Sequence, residues 1–299
     1  MVVEARRRQV GGLGVRRVLP SRATERVGPF IFLDHFGPEA LPPGRGLDVP
    51  PHPHIGLATV TYLFEGELLH RDSLGSVETI RPGEVNWMHA GQGIVHSERT
   101  PPVLRTRGAR IHGLQLWVAL PHDEEETPPA FRHYSLSDLP ERQPGGAAVR
   151  VLAGSAFGTT SPVETVSETL YVDVTLGEGQ NLEVPDAPER GVYVAEGRIH
   201  VGGQDLTAGQ LLVLPDASSA TLSASIASRV AVLGGAALEG DRQIWWNFVS
   251  SSNQRIAKAR KDWADGRFPP VPGDTERARL PQRFDLSRAD APRSRSERR

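Results

Sequence analysis

Apolar and polar residues alternate with a period of two along most of this chain, in short runs broken by glycine and proline. That pattern predicts strands rather than helices. The clearest runs are LATVTYLFEGEL (57–68), VETIRPGEVNWM (77–88), IHGLQLWVAL (111–120), ETLYVDVTL (168–176), GVYVAEGRIHV (191–201) and RVAVLGGAAL (229–238). The chain's 31 glycines and 25 prolines recur often enough to punctuate many such strands, so the expected fold class is all-β. One helix interrupts this near the end. In SSSNQRIAKARKDWADG, Ser250 to Ser252 supply caps, Ile256, Ala259 and Trp263 fall at helical spacing, and Gly266 is a stop, which predicts a helix over 251–265. Its basic residues Arg255, Lys258, Arg260 and Lys261 read as a solvated face rather than a polyanion contact.

The acidic, Pro-rich segment PHDEEETPP and the turn-rich ERQPGG mark a connector at 121–147. Two segments on either side of it share one layout: YLFEGELLHRDSLGSVETIRPGEVNWM and YVAEGRIHVGGQDLTAGQLLVLP. Each runs strand, Glu-Gly turn, strand, Gly-bearing turn, apolar strand, as expected of two copies of one barrel unit. The expected domains are 1–135 and 146–290, the latter including the helix, with a disordered tail at 291–299.

At 299 residues the chain can bury two ordinary cores. Hydrophobic residues at 38% and charged residues at 23% are globular proportions, and no apolar run is long enough to span a bilayer. The three arginines at 6–8 are followed by a Gly-rich stretch broken by Arg16 and Arg17, so we read no signal peptide and expect a cytoplasmic location. A net charge of −2 without a basic stripe argues against direct nucleic-acid binding. There is no cysteine, which excludes disulfides, thiolate metal sites and cysteine nucleophiles. Any metal must sit on histidine and carboxylate.

VPPHPHIGLATV places His52 and His54 two residues apart at the entry to a strand, where both side chains point to one face. GIVHSERT repeats the spacing with His96 and Glu98. Two such pairs converging inside a barrel make a four-ligand site for one divalent ion. The other seven of the ten histidines have no such partner and read as ordinary, with His35 and His89 kept in view because HFG and MHAG lie near the proposed site. Three imidazoles and a carboxylate on an octahedral ion leave two positions for substrate and dioxygen, which favours Fe(II), with Zn, Mn, Ni and Cu as alternatives.

HPHIG, the TVTYLFEGE strand and RPGEVNWMHAGQGIVHSE together resemble the pirin family of the cupin superfamily. FLDHFGP (32–38) and WNFVSSSNQRIAKARKDWADGRF (246–268) extend the resemblance over most of the chain. The resemblance implies a bicupin, two barrels with metal only in the first, and its ligands fall on His52, His54, His96 and Glu98. Many cupins carry Glu four residues after the second histidine. Here that position is Ala58, which strand alternation would put on the face of His54 beside the metal. The second half has no histidine in LEVPDAPERGVYV (182–194), and His200 stands alone, so no second metal is expected.

Two functions follow from the resemblance. One is a quercetin 2,3-dioxygenase, acting on a small aromatic substrate and O2 and releasing carbon monoxide. In it Glu98 is both ligand and proton acceptor, and Phe32, Phe36, Trp87 and Met88 are candidate apolar walls. The other is a metal-binding or redox-sensing regulator of a protein partner, either a transcription factor or a metabolic enzyme. An open, apolar-walled cavity at the metal would favour the first.

Overall fold

The computed structural model describes residues 1–215 and 218–281; the tail expected at 291–299 lies outside the described residues. The first half forms β1 (Val2–Glu4), β2 (Arg6–Val10), β3 (Leu13–Leu19), β4 (Phe30–Leu41), β5 (Asp48–His54), β6 (Leu57–Glu65), β7 (Leu68–Asp72), β8 (Val77–Ile80), β9 (Val85–His89), β10 (Ile94–Arg99), β11 (Ala109–Ala119) and β12 (Ala130–Tyr134). A short helix α1 (Pro102–Arg107) joins β10 to β11. Seven of these strands make one sheet in the order β12-β9-β6-β11-β4-β3-β2, and four make a second, β5-β10-β7-β8. The two sheets fold over each other as an all-β barrel.

The second half repeats the plan. A seven-stranded sheet centres on Glu189–Glu196, Ser228–Gly235 and Thr169–Leu176, and a four-stranded sheet contains Asn181–Glu183, Thr221–Ala224, Arg198–Val201 and Gln204–Thr207. Its interior is filled with aliphatic side chains such as Leu182, Val194, Ile199, Leu222 and Val232. His200 is on the outside, 2.9 Å from Asp205, and no second cluster of metal-ligating side chains occurs among the described residues. The fold class and the two-barrel plan expected from the sequence are therefore present.

The barrels meet through the outer faces of their large sheets. Val60, Tyr62 and Leu116 of the first pack in one buried cluster with Tyr171, Tyr193 and Leu233 of the second. Burying side chains of this size contributes about 1.5–3 kcal/mol each, so the junction is a core rather than a flexible contact. Tyr62 donates a 2.8 Å hydrogen bond to Asp173, which is ion-paired with Arg229.

Chain order does not follow the barrels strictly. β1 pairs with Gln210–Leu214 in the second barrel's sheet. Near the other end, the hairpin Gln243–Trp245 and Phe248–Ser250 returns to the first barrel, where Val249 N–H donates to the Ile55 carbonyl. Helix α2 (Asn253–Ala264) follows it. Ser252 caps α2 by accepting from Arg255 N–H, and Ile256, Ala259 and Trp263 are its buried face, packed with Ile55 and Val95. Its four basic residues are engaged within the protein: Arg255 with Glu126, Lys258 with Asp262, Lys261 with Asp265, and Arg260 over the Trp245 ring. No helix among the described residues is long and apolar enough to cross a membrane.

Candidate metal centre

β5 and β10 pair antiparallel with His52 opposite His96, and His54 lies two pairs further along, opposite Ile94. This register brings the three imidazoles together. Their ring centroids are 4.3 Å (His52–His96), 4.9 Å (His52–His54) and 5.0 Å (His54–His96) apart. One nitrogen from each lies within 4.8 Å of the others, and all three residues are buried.

Burial disfavours the imidazolium form. It lowers His52 to about 4, and with the neighbouring histidines it holds His54 and His96 well below the usual value. Near neutral pH each ring is therefore uncharged and carries one lone pair. His52 Nδ1 lies 2.9 Å from the Pro50 carbonyl, which can only accept, so that nitrogen carries the proton and Nε2 is free. His54 Nδ1 and His96 Nε2 are buried without any hydrogen-bond partner. An unsatisfied buried polar group costs about 1–3 kcal/mol, and neutral lone pairs converging at such a cost fit a divalent ion.

Glu98 faces the same cavity but stands outside this close group of nitrogens. A register shift between His96 and Glu98 places it opposite Val49 on β5. Thr61 Oγ1 donates to its carboxylate at 3.3 Å. Burial raises its pKa, against the opposing influence of His70 and the Thr61 bond.

The cavity beside the imidazoles is about 320 Å³, at the small end of ligand sites. Cross-strand register builds its wall. Phe32, Trp117 and Thr59 are directly opposite one another on β4, β11 and β6, and Asp34, Gln115 and Thr61 form the next row. Phe32 and Trp117 stack at 4.1 Å and 12°, and Trp117 also meets His54 edge-on at 5.3 Å. Arg17 lies 4.4 Å over the Phe32 ring and is held by two bonds to Asp34, at 2.8 and 2.7 Å. Trp246 and Asn247, from the late hairpin, complete the lining.

The family model described as Pirin matches residues 12–118, and that described as Pirin C-terminal cupin domain matches residues 171–269. A pirin-like protein of Caulobacter vibrioides is 48% identical over 90% of this chain and 94% of its own length. The chain belongs to the pirin family. A Pseudomonas aeruginosa relative named "Putative quercetin 2,3-dioxygenase" is 41% identical, covering 88% of this chain and 83% of its own. The crystal structure of a quercetin 2,3-dioxygenase from Acinetobacter baumannii superposes with a TM-score of 0.87 at 37% identity, over 95% of this chain and 97% of that one.

Several expectations from the sequence need correction within this pirin scaffold. Ala58 does not adjoin the metal cavity. It packs in the core between the barrels and lines a second, smaller cavity there, while its neighbour Thr59 faces the imidazoles. The cause is Gly56, at φ +66°, which breaks the run between β5 and β6 and resets the alternation; a Cβ there would sit 2.0 Å from the Val249 carbonyl oxygen. Trp87 and His89 share Ala58's side and also line the second cavity, and Met88 packs with Phe131 and Ile94, so of the four apolar walls proposed only Phe32 and Phe36 line the metal cavity. His35 is on the far face of the sheet, bonded to Tyr193 and His112 and lowered to about 2 by burial and by Arg16, so it has no access to the site as a base.

Sequence reasoning also missed residues. Trp117 was signalled only by Gln115, a polar residue at an inward position of an apolar strand. Trp246 had no local signal. His70 has no histidine or glutamate two residues on, yet HRD (70–72) repeats the two-residue spacing of the other pairs with aspartate as the partner. His70 is buried behind His96 and stacks on Phe131 at 4.2 Å. Its partner Asp72 is fully buried; burial pushes that carboxyl up, but bonds from His70 and Ser76 outweigh it and hold the carboxyl below its ordinary value.

Proposed function

We propose that this pirin-family protein is a metal-dependent dioxygenase that opens the central ring of a flavonol such as quercetin. In this reading O2 enters the ring fragments and one ring carbon leaves as carbon monoxide. His52, His54, His96 and Glu98 hold one divalent ion, Fe(II) by preference, with Zn, Mn, Ni or Cu as alternatives set by supply. The observation that carries the reading is the convergence of three neutral, buried imidazoles at the wall of an aromatic-sided cavity. The names of the Pseudomonas and Acinetobacter relatives point to the same chemistry.

The bound ion supplies Lewis acidity and a one-electron route to dioxygen. The chain supplies the rest. The stacked Phe32–Trp117 pair offers a flat apolar surface that orients a planar substrate. Glu98 takes the flavonol hydroxyl proton. Burial makes its carboxylate more basic than an exposed one, which suits a proton acceptor, and Thr61 holds it in place. Such a cavity supports catalysis over the alternative in which a sealed metal regulates a protein partner.

The test is oxygen uptake and carbon monoxide release by Fe(II)-reconstituted protein with quercetin. Chelation should abolish both, and Fe(II) should restore them. No oxygen uptake with any flavonol after loading with each candidate metal would reject the enzymatic reading.

A further inference from the structure

We propose that Asp72 and His70 form a relay that sets the tautomer of His96, so that its bare Nε2 faces the metal cavity. This rests on the metal reading of the site. His96 Nδ1 lies 3.5 Å from His70 Nδ1, at the outer limit of a hydrogen bond, and His70 Nε2 lies 3.1 Å from Asp72 Oδ2. All three residues are buried, and His96 Nε2 has no partner. A carboxylate can only accept, so a His70 ring with a single proton carries it on Nε2 and presents a lone pair at Nδ1. That lone pair can only accept from His96, which places the His96 proton on Nδ1 and leaves Nε2 free to ligate. His70 and Asp72 are thus positioning residues that act on the ion through His96.

The surroundings of Asp72 make the relay testable by one isosteric change. Its Oδ1 accepts the backbone N–H groups of Leu74 at 2.9 Å and Ser76 at 3.0 Å. In Asp72→Asn the amide oxygen must stay at those two donors, so the NH2 group must face His70. His70 then has to accept at Nε2, moves its proton to Nδ1, and forces His96 to turn a bare Nδ1 toward it and an N–H into the cavity. The substitution reverses every proton in the chain while keeping shape and turn intact.

The experiment reads ¹⁵N–¹H correlations of the histidine rings in metal-free protein at pH 7.5, and cobalt(II) affinity by visible absorption. Wild type should show His96 protonated at Nδ1. Asp72→Asn should show it protonated at Nε2 and bind cobalt(II) about 10–100-fold more weakly. His70→Phe keeps the stack on Phe131 but leaves His96 free to choose, so its loss of affinity should be smaller than that of Asp72→Asn. A merely structural pair would give the opposite order, since His70→Phe removes both ring nitrogens and leaves the buried Asp72 Oδ2 without its donor, whereas Asp72→Asn keeps the shape and the turn. Wild-type affinity and an unchanged His96 tautomer in Asp72→Asn would overturn the relay, as would His96 protonated at Nε2 in metal-free wild type, which decides the matter if the variant does not fold. Because the spectrum is taken without metal, it decides the relay even if wild type binds no cobalt(II), a result that overturns the metal reading instead.

Discussion

Arg242→Met should destabilise the protein and loosen one wall of the metal cavity while leaving metal binding intact. The Arg242 and Glu125 side chains are 4% and 5% exposed and lie 2.9 Å apart, so solvent screens the pair little. Arg242 also donates to the Leu120 carbonyl at 2.9 Å, and Glu125 accepts from Ser250 Oγ, Ser251 N–H and Ser251 Oγ. Together they fasten the hairpin 243–250 to the acidic segment between β11 and β12 of the first barrel. Methionine preserves most of the volume but leaves a carboxylate buried without its cation, a defect that costs about 3–5 kcal/mol. The three remaining donors to Glu125 favour the lower end, about 3 kcal/mol, which for a domain of this size lowers the melting temperature by about 6–12 °C. Calorimetry measures that shift. Adding Glu125→Gln should recover part of it, because the stranded charge is then gone. Since the hairpin carries Trp246 and Asn247 into the cavity but no imidazole, KM for the flavonol should rise with metal content unchanged. A melting temperature within about 2 °C of wild type, or a double variant less stable than Arg242→Met, would refute the reasoning.

His96→Ala should lose most of the metal found by elemental analysis, whereas His200→Ala should keep it, because His200 is on the outer surface of the second barrel. Two tightly bound equivalents in wild type would contradict a single site. Glu98→Gln should retain metal with reduced affinity but lose about 10²–10⁴-fold in turnover, with partial recovery at raised pH where solvent deprotonates the flavonol; turnover at the wild-type rate would make Glu98 a ligand only. The metal-free protein should weaken in acid. His35 and His52 titrate at about 2 and about 4 when folded, and His54 and His96 well below their ordinary value, while the unfolded chain takes up these protons near 6.5. The unfolded state then binds more protons, so stability is complete above pH 6.5 and falls as pH drops from 6.5 through about 4, by about 1.4 kcal/mol per pH unit for each such group. Urea midpoints that do not change between pH 7 and pH 5 would count against this.

The sequence by itself determined what lies within single strands. The period of two identified the all-β class, and the same period put His52 beside His54 on β5. It was enough to see that the second half lacks the histidine pair of the first, and the cap, apolar triplet and stop of α2 were all local. Alternation fails across a turn. Gly56 interrupts the count between His54 and Ala58, and only the folded chain shows that Thr59 rather than Ala58 faces the imidazoles. Long-range pairing is equally invisible in one strand. That Trp117 stacks on Phe32 follows from the register of β11 against β4, and that Trp246 reaches the same cavity follows from a hairpin returning nearly two hundred residues after His52. His70 has the spacing of a functional pair, but its place behind His96 depends on how β7 lies against β10. Side-chain periodicity is a property of one extended backbone, whereas a barrel's interior is assembled by hydrogen bonding between distant strands, so the pairing of His52 with His54 could be read locally and the walls and supports of the cavity could not.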